Sequence, residues 1–408
     1  MNITAETNWD IELMEHLGRF PQVNEIFAVI QETAGATENP CFIIDDTQKK
    51  TVAEYIRKVH AAGLKFNCLF SGLGDNNMKF NKKIHANILA YIRWLLDNGV
   101  DSLTVTVPYF LEIIKTHFPS LEVRVSLIAQ VNSVQRARLF EKLGADGITL
   151  DFNSNRDFKL LKQIRKAVSC RLSLIANDGC LYQCPYRYYH YNTLAQCTQS
   201  YHHTESFYID YCILRCTIEK FSNPKEIIKS RWIRPEDIQH YEEIGIDTFK
   251  ISGRRMSTKW LLNTINAYSG QKYDGNLFDI LNCVAPGIEP EVISPQHKAF
   301  LEKAYSLNRE NLDHVCQLYP LKPYIDNKAL NGFIHFFKNQ DCLSECEHCN
   351  YCGDLAMKAV DIESLEPAKY IGSLMEVLND FTHGRIFEDF HTANVNPRDQ
   401  HIPGINNV

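Results

Sequence analysis

Eight of the fourteen cysteines in this 408-residue chain fall into two tight groups. The first group consists of two C-x3-C pairs, Cys180 with Cys184 and Cys212 with Cys216. The second is the run Cys342-x3-Cys346-x2-Cys349-x2-Cys352. Thiolates three or four residues apart reach one centre from a turn, and four of them suit zinc or a 4Fe–4S cluster. Zinc sites more often use C-x2-C pairs, so the paired C-x3-C spacing leans toward iron–sulfur chemistry, with zinc as the alternative. One cluster is expected at the first group, and the second run allows two. Cys197, His190, His202 and His203 are candidate substitute ligands in the first group.

The second run has the compact spacing of ferredoxin-type ligands. Its first three cysteines also match the C-x3-C-x2-C spacing of radical-SAM enzymes. That triad belongs near a first barrel strand and leaves one iron open, whereas this run lies late in the chain and supplies a fourth cysteine. The scattered Cys41, Cys68, Cys170, Cys283 and Cys316 read as small buried hydrophobes.

The elements that must position these groups show as a recurring unit. Segments 98–105, 143–150 and 244–251 each end a helical run on Gly, then place a small apolar residue, an Asp and a β-rich stretch. Residues 62–66 are a looser fourth copy. Gly suits the left-handed position after a helix, and the apolar stretch reads as a buried parallel strand. Eight strands are predicted near Ile3–Glu6, Glu25–Ile30, Lys65–Phe70, Ser102–Val107, Glu122–Ile128, Gly147–Leu150, Arg171–Ala176 and Thr248–Ile251. Helical runs separate them, such as the stripe Ile84, Ile88, Leu89, Ile92, Leu95 and Leu96 and the runs Val134–Leu143, Asp157–Val168 and Pro235–Ile244. The fold class is therefore α/β, a (β/α)8 TIM-like barrel, with a doubly wound sheet as the rival.

The barrel is placed at 1–270, with a large cysteine-bearing insertion, 177–246, after strand seven. A smaller cysteine-rich C-terminal domain, 271–408, carries the run 342–352 and helices near Pro295–Tyr305 and Pro367–Phe381. The βα loops of such barrels form the catalytic face.

A net charge of −6 argues against a broad nucleic-acid-binding face. No apolar run approaches the ~20 residues of a membrane span. The first twelve residues carry acids and no apolar signal core, so a cytoplasmic address is expected. Fourteen cysteines in a reducing compartment then read as ligands rather than as a disulfide framework.

The turn Asn177-Asp178-Gly179-Cys180, the following Cys184-Pro185-Tyr186-Arg187, the Tyr211-to-Cys216 segment and Phe249-Lys250-Ile251-Ser252-Gly253-Arg254 resemble the collagenase-like peptidase family U32. The resemblance covers roughly residues 1–270. It implies a (β/α)8-like barrel and four cysteines, here Cys180, Cys184, Cys212 and Cys216, holding a 4Fe–4S cluster. Despite the peptidase name, it also implies an oxygen-independent hydroxylase acting on RNA or a small molecule, with prephenate as oxygen donor for some members. Two features depart from the family pattern. The strand before the turn reads Leu172-Ser173-Leu174 and lacks the family's acid, and the first cysteine gap is shortened to three residues.

Substrate is expected beside the cluster, among residues at the strand ends: Asn8, Ser71, Tyr109, Gln130, Asp151, Asn153, Asp178, Arg254 and Arg255. Arg254 and Arg255 are candidate holders of an anionic substrate. Asp151 is a candidate base or a helix cap. The aromatic run 186–192 would shield the cluster or stack a substrate, and His190 within it is a candidate proton donor. An electron donor or a partner modification enzyme is the expected protein partner. Hydrolysis is the rival activity, without a G-x-S-x-G or H-E-x-x-H motif to support it. A zinc-stapled accessory binding protein for a modification enzyme is the third reading.

Overall fold

A computed structural model describes residues 1–30, 46–70, 82–191, 211–283, 321–339, 342, 346, 348–362 and 367–384. Eight parallel strands close into a barrel in sequence order: β1 Asn2–Glu6, β2 Val23–Ala28, β3 Lys65–Phe70, β4 Ser102–Val105, β5 Glu122–Val125, β6 Gly147–Thr149, β7 Arg171–Ile175 and β8 Thr248–Ile251. β8 pairs back onto β1, with Asn2 opposite Thr248 and Ala5 opposite Ile251. That closure rules out the doubly wound sheet.

The recurring Gly-x-Asp unit has a physical basis. Gly63, Gly99, Gly144 and Gly245 all have φ between +77° and +99°. Beside each, the next residue donates its amide five residues back, as in Val100 to Leu95 and Ala145 to Phe140, both at 3.0 Å. This is the Schellman closure of a helix. The Asp that follows then ties the new strand to its neighbour. Asp101 accepts the Phe66 amide at 2.8 Å, and Asp146 accepts the Val123 amide at 2.7 Å. One tripeptide thus ends a helix and registers a strand.

Strand residues alternate sharply. Ile3, Ala5, Ile26, Leu103, Val105, Val123, Val125, Ile148, Leu172, Leu174, Phe249 and Ile251 belong to the main apolar core under the helices. The alternate positions are polar and join one another within the barrel. Asn67 donates to Ser102 at 2.7 Å and accepts from Thr104 at 2.7 Å. Ser102 reaches Glu25, which holds Arg124 in a two-pronged pair, and Thr149 meets Ser173 at 2.9 Å. Barrel interiors usually hold branched aliphatic side chains. Here the interior is a polar network instead, and Lys250 sits in it with its ammonium 4.0 Å from the centroid of the Phe27 ring.

After α1 Ile11–Leu17, α2 Asp46–Ala61, α3 Lys82–Asp97 and α4 Pro108–His117, the helix candidates 134–143 and 157–168 appear as α5 Val134–Lys142 and α6 Phe158–Ala167. The run 235–244 is shorter than its pattern suggests, a 3-10 turn Pro235–Asp237 followed by the short helix α9 Gln239–Glu242. After β7 the insertion contributes α7 Tyr211–Ser222 and α8 Lys225–Lys229, and α10 Thr258–Ser269 follows β8. Beyond residue 320 come a two-stranded pair (Tyr324–Ile325 with Val360–Asp361), α11 Ile334–Asn339, α12 Tyr351–Ala359 and α13 Pro367–Thr382. The predicted helix Pro295–Tyr305 lies outside the described residues. α13 packs on α7 through Tyr370 against Phe221, and Arg234 binds Asn327, Leu330 and Asn331. No described helix is long and apolar enough to cross a membrane.

The polar interior generates a pH test. Burial, then repulsion from Arg124, lowers the Lys250 pKa from 10.5 to about 8. Between those values the unfolded chain holds more protons than the folded one, so this group makes stability rise with pH across the window. The stability difference between wild type and Lys250→Met should therefore grow in favour of wild type by about 3 kcal/mol from pH 7.5 to 10.5. Denaturant titration along a pH series reads it. A pH-independent difference would place the ammonium in contact with water.

Candidate functional site

The turn after β7 carries the first cysteines to the C-terminal mouth of the barrel. Asn177 fixes the turn by donating to the Ser252 carbonyl at 2.8 Å and accepting the Ser252 amide at 2.9 Å. Segment 281–283 runs alongside it, with the Asn282 amide on the Asn177 carbonyl at 2.7 Å and the Gly179 amide on the Asn282 carbonyl at 3.3 Å. Cys283 is thereby pressed against Gly179. A Cβ on Gly179 would lie 2.0 Å from the Cys283 sulfur, so glycine is required by close approach.

The other half of the site comes from α7, where Cys212, Cys216 and Lys220 are spaced by four and form one stripe. The Lys220 side chain is 6% exposed and donates to the Gly179 carbonyl at 3.0 Å. Thiolate charge at Cys216, Cys283, Cys180 or Cys184 would favour its ammonium. Cys283, read from sequence as an isolated buried residue, thus belongs to this cluster. No sequence signal marks it, because only the tertiary pairing of 282 with 178 brings it here.

The second run gathers against the insertion. Arg231 donates to the Cys342 sulfur at 3.5 Å, and its guanidinium lies 3.8 Å from the Tyr182 ring centroid. Cys352, in the first turn of α12, is buried and faces Arg156, while Cys342 and Cys346 lie within its electrostatic reach. Arg156 donates to the carbonyls of Ile228 and Trp232 at 2.6 and 2.9 Å and stacks on the Trp232 ring.

No three described His, Cys, Asp or Glu side chains are arranged so as to hold a metal ion. The fit of a thiolate-bound group is therefore judged on charge. Buried arginines elsewhere in the chain face carboxylates: Arg124 has Glu25, Arg187 has Asp151 at 2.8 Å, and Arg234 has Glu236 at 3.5 Å. Lys220, Arg156 and Arg231 have no described carboxylate within salt-bridge distance; nearby cysteine charges favour all three, with Asp237 also acting on Arg156. Burial, then Asp178, pushes the Cys180 thiol far above its ordinary range, and burial raises Cys184 as well. Uncomplexed, these thiols are neutral and leave the cations unbalanced; a bound metal ionises its thiol ligands and supplies the missing charge. The charges of Cys180, Cys184 and Cys216 reach one another at the first site, and those of Cys342, Cys346 and Cys352 at the second, so three thiols of each expected set suit such a group, while Cys212 donates to the Tyr186 carbonyl.

The remaining candidates fall into distinct surroundings. Asp178, buried beside Cys180, accepts from Ser252 at 2.6 Å and Asn282 at 3.1 Å; burial and the nearby Glu6 raise its pKa. Asp151 caps the turn Phe152–Arg156 and pairs with Arg187, so its carboxylate is engaged on two sides. Arg254 is held by Glu6 at 3.0 Å, which leaves it partly committed within the chain. Arg255 is half-buried on the same loop, and half-buried His190 stacks beside Tyr191. Asn8 binds Met256 and Thr258, Tyr109 meets His85 at 3.4 Å, and Gln130 takes a left-handed φ of 51°. Within the run 186–192, Tyr188 and Tyr189 are exposed, whereas Tyr186 packs edge-on against Tyr211. Ser71, Asn192, Cys197, His202, His203, Cys41 and Cys316 lie outside the described residues. Lys220, Glu6, Asn282 and Cys283 are the site residues that sequence reasoning missed. The Cys-x3-Cys-x3-Lys stripe on α7 was the available signal for the first.

The sequence model of peptidase family U32 matches residues 45–274. A curated protein of Methanocaldococcus jannaschii, named uncharacterized protease MJ1657, is 34% identical over 304 residues, covering 71% of this chain and 79% of its own length. The chain belongs to peptidase family U32. Among solved structures, the U32 peptidase Mk0906 aligns with 62% of this U32 chain and 93% of its own, at 20% identity and a TM-score of 0.45. A FabK variant from Thermotoga maritima aligns with 43% of this chain and 54% of its own, at 15% identity and a TM-score of 0.28.

The Gly179–Cys283 contact gives a paired test in this U32 chain. Gly179→Ala should destabilise the protein by about 1–3 kcal/mol through overpacking and lower its metal content. Adding Cys283→Ala removes the clashing sulfur and should restore most of the stability. Denaturant melts and metal analysis of both variants check this; a Gly179→Ala protein with wild-type stability would contradict the packing.

Proposed function

We propose that this U32 protein is an iron–sulfur enzyme performing an oxygen-independent hydroxylation or related redox modification of a small molecule, RNA or peptide. The observation that carries the reading is the buried Lys220 ammonium, within electrostatic reach of Cys180, Cys184, Cys216 and Cys283 and with no described carboxylate within salt-bridge distance. A 4Fe–4S group bound by Cys180, Cys184, Cys212 and Cys216 would supply one-electron redox chemistry at the barrel mouth. Asp178, protonated more readily than an ordinary carboxyl, would hold or deliver a proton at its Oδ atoms, oriented by Ser252 and Asn282. The network of Glu6 and Arg254 would orient an anionic reactant, prephenate being the donor implied for the family. The overall exchange balances without O2. A hydroxylated donor loses its oxygen and gains two electrons, and the substrate C–H that becomes C–OH gives up two. The second cysteine set would relay electrons from a donor protein or staple the C-terminal region.

Peptidase activity is the alternative, favoured by the name of the M. jannaschii relative. The raised Cys180 and Cys184 thiols argue against a cysteine nucleophile, which needs a lowered pKa. Ser252 donates directly to Asp178, an arrangement with no intervening base.

Anaerobic purification followed by iron and sulfide counting separates these readings. Two clusters correspond to about eight irons and one to about four. A colourless protein holding zinc would overturn the redox reading and favour a zinc-stapled accessory protein. Asp178→Asn should keep the cluster and lower turnover by about 10²–10⁴-fold, as for loss of a general acid or base. The substrate for that assay comes from profiling hydroxylated nucleosides and metabolites in a deletion strain.

A further inference from the structure

A cavity of about 420 Å³ opens between the start of α6 and α11. Its wall carries Arg156, Lys159, Lys162, Arg231 and Lys338 against one acid, Asp157. Asp157 is already engaged, capping α6 through the Leu160 amide at 2.9 Å. Arg156 and Arg231 are only 1% and 3% exposed, and the Nε of each is buried without an acceptor among the described residues. Their positions are fixed by stacking on Trp232 and Tyr182 respectively. Buried donors held in place and left unsatisfied mark a site built for an acceptor.

The neighbouring cysteines do not exhaust this charge. Four thiolates around zinc or a 4Fe–4S core carry about −2 in either case. Lys338 is paired with Glu243 at 3.2 Å, and the four other cations still outnumber Asp157 and the two charges of that centre. The volume is that of a small-molecule pocket rather than a polymer groove, and Phe337 adds an apolar wall.

We propose that this cavity binds a small multivalent oxyanion, a phosphate ester or a polycarboxylate, held by the Arg231 guanidinium with Lys159 and Lys162, while Arg156, its terminal nitrogens spent on the Ile228 and Trp232 carbonyls, adds positive charge behind them. Guanidinium and ammonium donors match both anions. The cavity touches both cysteine sets. Cys342 lines it, and Asn153 in its wall accepts the Gln183 amide at 3.1 Å inside the Cys180–Cys184 turn. Tyr182 of that turn is the ring under Arg231. A bound oxyanion would therefore lie between the two sets.

Calorimetric titration of the metal-loaded protein with inorganic phosphate, pyrophosphate and citrate tests the assignment. At least one should bind saturably at one site per chain, with the phosphate and citrate arms sorting ester from polycarboxylate. Lys159→Gln with Lys162→Gln, both on exposed positions, should weaken that binding tenfold or more. Arg231→Lys should weaken it too. Lys166→Gln, exposed on the same helix but outside the cavity wall, should leave it unchanged. Absence of saturable binding for all three anions would overturn the proposal. So would an affinity unaltered by the double substitution, or reduced equally by Lys166→Gln.

Discussion

A positive charge taken out of water must find a negative partner nearby, and the cysteine face of this protein is organised by that requirement. Lys220, Arg156 and Arg231 are buried beside cysteines, with no described carboxylate within salt-bridge distance and only Asp237 acting on Arg156 from farther off. The desolvation cost of such ions is several kcal/mol each, more than neutral neighbours return. The same chain places carboxylates against Arg124, Arg187 and Arg234, so the exception at the cysteines is local. Under the proposed function, thiolates bound to a metal would be the partners that make the arrangement stable.

The barrel serves this face by geometry. Its strands end at one mouth, and the network of Asn177, Asp178, Ser252 and Asn282 locks the β7 turn to β8 and to the segment beyond it. The insertion then returns a helix whose stripe of Cys212, Cys216 and Lys220 meets that turn. The C-terminal elements close over the insertion, α13 on α7 and the second cysteine run beside Arg231. The polar barrel interior is charge-balanced on its own terms, with Glu25 and Arg124 at its centre.

The barrel was legible because its signals are local. A glycine that ends a helix and an aspartate that starts a strand are neighbours in sequence, so all eight strands could be placed within a few residues. The cysteine groups were legible for the same reason. What was not legible depends on residues far apart in sequence. Cys283 joins the first set only through its pairing beside Asp178, and Arg156 reaches Cys352 across almost two hundred positions. The polar barrel interior was hidden differently. Alternation was visible in strands such as Ser102-Leu103-Thr104-Val105, but a parallel strand buried on both faces is expected to be apolar throughout. Nor was it visible that Arg254 is tied to Glu6, or that Arg156, Arg187 and Arg231 each keep a buried Nε without an acceptor among the described residues.

The central claim is that the cysteines balance buried cations as metal-bound thiolates. Intact-mass measurement of the anaerobically prepared protein, resolved to a single proton, tests it directly. Bound iron and sulfide, with one proton missing from the chain for each ligating thiol, is the predicted result. A chain at its bare mass with every thiol protonated would contradict the account.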